Sequence, residues 1–445
     1  MSILEARLNK DKTAKEEAVK KVASLNSIKA TDVEQQYTKK LISDTSKEFS
    51  TLIAQHGLSD EIKKQINEFV HTSITAFPLS YEEKSRIERL VITSMFGLGP
   101  LEQYMTEDSK VTDIVVLKYN HICIEDDTGV HKIDAEFNSE EHLVNVIQRI
   151  VQKAGRQINL ATPAVDAKLD DGSRIHATIP PITPDGATLT IRRFNNTKLD
   201  AEDYVKLQSL NQPMLDFLRI AVQAKLNIIV TGGTGSGKTT LLNMLSSFIP
   251  EDELIITIED SCELQLRQPN VRRMETRLSQ TEQLNIGIQE LVKHSLRMRP
   301  DRIIVGEVRD GTVVDMLSAM STGHEGSMST IHTDSPRALV DSRLPTLFSQ
   351  YKGGTFTKET QALMTAEAVQ LIVQISREPN YKRKITHITA VTGFNIDNNT
   401  VSLMDIFQYD RKKDAFTQIN DVPENIVKRI EYRGKTIPSS IKTKR

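Results

Sequence analysis

Gly232-Gly233-Thr234-Gly235-Ser236-Gly237-Lys238-Thr239 carries the spacing G-x-x-x-x-G-K-T. It stands between the apolar run Ile228-Ile229-Val230 and the helical pattern Leu241–Ser246. Each residue type answers a demand of phosphate chemistry. Glycines let the backbone wrap around phosphate oxygens, and the loop amides, with the N-terminus of the following helix, supply donors. Lys238 adds charge at the β- and γ-phosphates, and the Thr239 hydroxyl, followed by Thr240, suits a magnesium ion. A plain glycine-rich turn needs neither the lysine nor the hydroxyl. The ligands expected of this pattern are ATP and Mg2+.

Hydrolysis needs carboxylates to orient water and support the metal. In an open α/β sheet, ligands bind beyond the carboxyl ends of strands, so strand-ending acids are the candidates. Ile255-Ile256-Thr257-Ile258 runs into Glu259-Asp260, and Ile303-Ile304-Val305-Gly306 runs into Glu307. Glu307 is the expected water-orienting residue and Glu259 the support of the metal and its waters. His324, in Thr322-Gly323-His324-Glu325-Gly326, and His332, in Ser329-Thr330-Ile331-His332, lack a third ligand at metal-binding spacing. They read instead as polar residues that sense the γ-phosphate or couple it to movement. Arg272, Arg273 and Arg277 follow the first acidic segment, while Arg174, Arg192 and Arg193 lie further upstream. Arginine of this kind neutralises charge on a transferred phosphate, often across a subunit interface.

The elements that must position these groups follow from the patterning. Residues 1–60 alternate Lys and Glu with a thin apolar face and read as a charged helical arm. Residues 61–196 mix helical periodicity, at Arg86–Ser94 and His142–Lys153, with short β-rich runs, Asp113–Leu117 and His121–Glu125, and read as an α+β domain. The polar stretch at 197–205 reads as a linker. Over 206–415, strand-like runs at Asn227–Thr231, Leu254–Glu259, Arg302–Glu307, Met328–His332 and Gln370–Ser376 are spaced by helical stretches. That predicts an α/β P-loop domain with a sheet covered on both faces, ending in a hairpin of Ile385–Phe394 and Thr400–Tyr409. Residues 416–445 read as a basic C-terminal tail.

Composition narrows the class. The net charge of -2 gives no whole-chain nucleic-acid signature, and 5% aromatics with no Trp disfavour a stacking channel for single strands. Cys123 and Cys262 lack partner spacing for a disulfide framework or zinc site. The absence of an apolar run near the ~20 residues that span a bilayer, and a start too charged for a signal-peptide core, predict a cytoplasmic location.

As an ordered set these motifs resemble the type II/IV secretion ATPase superfamily, and within it the CpaF/TadA-like ATPases of tight-adherence pilus systems. Gly97-Leu98-Gly99-Pro100-Leu101-Glu102, Val111-Thr112-Asp113-Ile114, Asp171-Gly172-Ser173-Arg174 and Ile191-Arg192-Arg193-Phe194 resemble the family's N-terminal domain. Ile258-Glu259-Asp260 resembles its Asp box, Gly306-Glu307-Val308-Arg309 its Walker B segment, and Thr322 through His332 its His box. Leu278-Ser279-Gln280-Thr281 departs from the family's proline-rich stretch. The resemblance implies a RecA-like C-terminal domain, a smaller N-terminal domain and a homo-oligomer, expected to be a hexamer. It also implies docking at the cytoplasmic face of the inner membrane against a platform protein, catalysis by Glu307, and nucleotide or interface roles for Glu259, Arg174, Arg277, His324 and His332. The alternative is a nucleotide-regulated scaffold with little hydrolysis of its own. A transporter-type ATPase is disfavoured because Gly306 stands where an aspartate would precede the glutamate.

Overall fold

A computed structural model describes residues 32–56, 60–106, 109–126, 128–194, 199–277 and 285–443. The chain divides into two compact units after Asn195.

The first unit begins with three helices, α1 (Asp32–His56), α2 (Asp60–Thr75) and α3 (Tyr81–Phe96). Leu41 and Phe49 of α1 are buried with Ile62, Ile66, Val70, Ile87 and Val91. Over residues 32–56 the expected solvated arm is therefore a packed helix; residues 1–31 lie outside the described residues. The reason is a buried stripe that is half polar: Glu34, Thr38, Leu41, Thr45 and Phe49 recur at helical spacing and are all buried. Thr38 and Thr45 satisfy their hydroxyls on the carbonyls of Glu34 and Leu41, each at 2.7 Å. Glu34 accepts from Arg86 at 2.6 Å.

Six strands follow: β1 (Asp113–Lys118), β2 (His121–Asp126), β3 (Gly129–Lys132), β4 (Ala164–Lys168), β5 (Arg174–Thr178) and β6 (Thr188–Arg192). They form an antiparallel sheet in the order β3-β2-β1-β6-β5-β4. One face packs on α4 (Glu140–Lys153) through Leu143, Val146, Ile147 and Ile150.

The second unit holds a nine-stranded sheet in the order β15-β14-β13-β12-β7-β11-β10-β8-β9. Its strands are β7 (Ile228–Gly232), β8 (Ile255–Glu259), β9 (Val271–Glu275), β10 (Arg302–Val305), β11 (Met328–His332), β12 (Leu371–Arg377), β13 (Arg383–Asn395), β14 (Thr400–Asp410) and β15 (Ala415–Gln418). The run from β12 to β9 is parallel, and β13, β14 and β15 add an antiparallel edge. Successive residues of the parallel strands feed two separate cores: Ile228 and Val230 one, Ile229 the other. Helices cover both faces, which is why these strands read as continuous apolar runs.

Two segments expected to be a linker and a tail contain packed helices. The 197–205 segment includes a helix, Ala201–Lys206, whose Ala201 and Tyr204 are buried in the first of those cores. In the expected tail, the helix Glu424–Tyr432 places Ile426 and Ile430 one turn apart, and both are buried with Val422 and Ile441 in the same core. Scattered lysines and arginines hide that apolar stripe. Among the described residues, no helix is long and apolar enough to cross a membrane.

Candidate active site

The connection leaving β7 passes over β11 and β10 to form β8, whereas β12 pairs on the other side of β7. The carboxyl end of β7 is therefore where strand order reverses, the place where an open α/β sheet leaves a ligand crevice. The loop from Gly232 to Gly237 lies there, and the helix Lys238–Ser246 begins at its lysine, capped by Gly237 at φ 93°. Gly235 also has positive φ, at 67°. A β-carbon on Gly232 would stand 2.3 Å from the Ile375 carbonyl oxygen and 2.6 Å from Ser236 Oγ, so only glycine fits. Ser236 is buried and donates to the Gly233 carbonyl at 2.8 Å. Lys238 Nζ donates to the carbonyls of Gly232 and Gly233 at 3.0 and 2.9 Å, which keeps its ammonium inside the curl of the loop. Thr234 and Gly235 form the exposed lip, and Thr239 and Thr240 occupy the first helical turn, partly exposed. Backbone curvature, glycine clearance and an enclosed ammonium fit a phosphate chain, and a hydroxyl in the first helical turn fits the magnesium that accompanies one.

The two acids end β8 and the segment after β10, but β11 stands between β7 and β10. Glu259 is 2% exposed, and its Oε2 accepts the backbone N–H groups of Glu263 and Leu264, both at 2.8 Å. Its carboxylate thus fixes the turn that follows β8. A β-carbon at Gly306 would lie 3.0 Å from Glu259 Cγ. Any side chain at the position before Glu307 would press on Glu259. Glu307 is more open, and Arg309 donates Nε and Nη2 to its Oε2 at 2.9 and 2.6 Å. Arg309 Nη1 stands 3.7 Å from the Asp260 carboxylate. The hydrogen bond to Glu307 is the leading cause that holds the Arg309 guanidinium above its ordinary pKa. A cavity of about 180 Å³ opens beside this group, lined among others by Asp260, Thr276, Glu307, Arg309 and Thr312. Thr330 of the intervening β11 donates to the Gly306 carbonyl at 2.7 Å, fixing the end of β10.

The remaining expected site residues separate. His332 is exposed and pairs in register with Gly232, so it sits beside the loop. His324 precedes β11, and the neighbouring Gly326 and Ser327 donate to the Asn227 side chain at the start of β7. That is the amino end of the sheet, opposite the loop. Within this chain His324 therefore stands at the opposite end of the strand from the loop that carries Lys238. Histidines on either side of a strand stand at its opposite ends. Arg277 exchanges backbone hydrogen bonds with Ile286, at 3.0 and 2.8 Å, just past β9. The divergent segment 278–281 lies outside the described residues. Arg174 belongs to the first unit, where it faces Lys168 and Arg192 in the sheet register. Sequence reasoning missed Arg377, which ends β12, and Arg383, whose Nε donates to the Gly235 carbonyl at 3.3 Å. Applying the strand-end rule to β12, as to β8 and β10, finds Arg377.

A model of the family described as type II/IV secretion system protein matches residues 95–412. A putative conjugal transfer protein of Mycobacterium tuberculosis is 31% identical over 310 residues, spanning 68% of this chain and 87% of that one. The type IV secretion system protein VirB11 of Bartonella quintana is 28% identical over 325 residues, spanning 65% of this chain and 91% of that one. Among solved structures, the VirB11 ATPase of the Brucella suis type IV secretion system matches at 28% identity and a TM-score of 0.36, over 66% of this chain and 97% of that one. With the phosphate loop at the sheet's reversal point and strand-end acids on one side of it, the chain is a P-loop ATPase that belongs to the type II/IV secretion system protein family.

Proposed function

We propose that the chain is the motor of a pilus-assembly or protein-secretion machine, working as a homo-hexamer that hydrolyses ATP to ADP and phosphate. The observation that supports this most is the one-sided layout of the sheet's carboxyl edge. The phosphate loop ends β7, and both acids lie on the β10 and β8 side, two and three strands away. At roughly 4.8 Å per strand, that leaves about 10 Å between loop and Glu307 for terminal phosphates and an attacking water. Lys238 holds the phosphates, Thr239 holds the magnesium, Glu307 orients the water, and Glu259 supports the metal's surroundings. His332, beside the loop, senses the γ-phosphate. Arg174 and Arg277 serve at the interface between subunits. Nucleotide binding and release then drive motion against an inner-membrane platform protein at the cytoplasmic face, for a tight-adherence pilus or a secreted protein.

One observation favours a second reading, a nucleotide-regulated scaffold. Arg309 occupies one oxygen of Glu307, and a positive charge so placed opposes proton transfer from water to the carboxylate. Phosphate release measured with Mg-ATP across protein concentrations separates the two. For the motor, specific activity rises with concentration. Lys238→Ala loses binding, and Glu307→Gln binds ATP while its kcat falls about 10²–10⁴-fold. Wild type that binds ATP yet turns over no faster than Glu307→Gln, even where rings form, sinks the motor and leaves the scaffold.

A further inference from the structure

On the side of the phosphate loop away from the acids, β12 ends at Arg377 and β13 begins at Arg383, two residues paired across the hairpin. The connecting turn is closed by backbone bonds from Glu378 to Lys382, at 2.8 Å, and from Tyr381 to Glu378, at 2.9 Å. It is braced from below: the buried Glu378 carboxylate accepts Arg411 Nε at 2.9 Å and Nη2 at 3.1 Å. Tyr381 has φ 63° and is 48% exposed, with the Arg377 guanidinium 4.8 Å from its ring centroid. This turn abuts the loop. Besides the Arg383 bond to Gly235, Arg383 Cδ lies 3.1 Å from where a β-carbon would stand on Gly237, and Arg377 Nη1 lies 3.5 Å from that position on Gly235.

The sheet order then gives the ligand a direction. The terminal phosphate must face Glu307 and Glu259, toward β10 and β8, so the nucleoside leaves the loop on the opposite side, where β12 stands. An exposed aromatic ring with a planar cation beside it is a stacking surface for a heteroaromatic base, and a second arginine at the loop suits a phosphate that does not react. We propose that the turn from Arg377 to Arg383 is the nucleoside subsite. Tyr381 and Arg377 take the base by stacking, and Arg383 takes the phosphate next to the ribose. This rests on the loop being a triphosphate site.

The test is calorimetric titration of the full chain with Mg-ATP and, separately, with magnesium tripolyphosphate, which lacks base and ribose. Tyr381→Asn is the informative variant, because asparagine tolerates the positive φ and so isolates loss of the ring. It should weaken ATP about tenfold while leaving tripolyphosphate unchanged, and Tyr381→Phe should restore ATP binding. Arg383→Gln should weaken both ligands. If Tyr381→Asn binds ATP as wild type does, while Lys238→Ala binds neither ligand, the nucleoside subsite lies elsewhere and the loop reading stands. Wild type that binds neither ligand overturns the loop reading and the subsite with it.

Discussion

The two sheets of this chain handle polar chemistry in opposite ways. In the antiparallel sheet of the first unit, β1 and β6 alternate buried and accessible residues, so charged groups sit along an open face. Arg192 pairs with Asp113 there at 3.0 Å, its side chain 59% exposed. In the second unit β7, β8 and β10 are buried along their whole length. With both faces closed, charged groups are confined to the ends of these strands. The carboxyl end carries the phosphate loop and the acids. The amino end carries Arg302, fully buried, which donates to Glu253 at 2.6 and 3.1 Å and to the carbonyls of Val222 and Gly326. One end is arranged for a ligand, the other for the chain itself.

The largest effect that would sharpen this contrast is on stability. Arg302→Ala leaves Glu253, among the described residues, with Lys225 at 3.5 Å, and strips a donor from two carbonyls. Breaking a buried pair this way costs about 3–5 kcal/mol. Arg192→Gln in the open sheet should cost under about 1 kcal/mol, since solvent replaces what is lost. The readout is denaturant unfolding followed separately for the two units, because a chain with two cores need not unfold in one step. Equal costs would erase the distinction between the sheets.

A smaller effect tests the carboxyl end. Gly306→Ala pushes a methyl group against Glu259 Cγ, and overpacking of this size costs about 1–3 kcal/mol. Because Glu259 also fixes the turn after β8, hydrolysis should fall while ATP binding is kept. Calorimetric binding beside phosphate release checks this. Loss of ATP binding instead would mean that the acids and the loop are not the separate parts that the strand order describes.

The same contrast explains what could be read from sequence. Buried parallel strands leave continuous runs of Ile and Val, so β7, β8, β10, β11 and β12 were legible, as were the loop and the acids that end two of those runs. Helix α1 was not, since Thr38 and Thr45 hide a buried stripe behind residues that look solvated. Nor was the packing of Val422, Ile426 and Ile430, set among basic residues. Spacing placed both histidines near one strand, and only strand direction separates His332 from His324. Arg383 was out of reach because its meeting with Gly235 joins residues 148 apart in sequence through the β12–β13 pairing.

The smallest expected effect sets one histidine of each unit against the other. Burial is the leading cause that holds His142 in the first unit and His387 in the second below the ordinary histidine value of 6.5. For His142, the nearby Arg149 adds to the depression; for His387, Arg411 does so while Asp405 opposes it. Each histidine is neutral in the fold at a pH where the unfolded chain already binds a proton. Stability from both is therefore present above about pH 6.5 and lost as pH falls toward the folded values. Thermal unfolding followed in each unit between pH 7.5 and roughly 5 should show both transitions moving down. His142→Phe should flatten only the first unit's slope, and His387→Gln only the second's. If one substitution flattened both slopes, the two units would be a single cooperative block, and the contrast between their sheets would not extend to how they unfold.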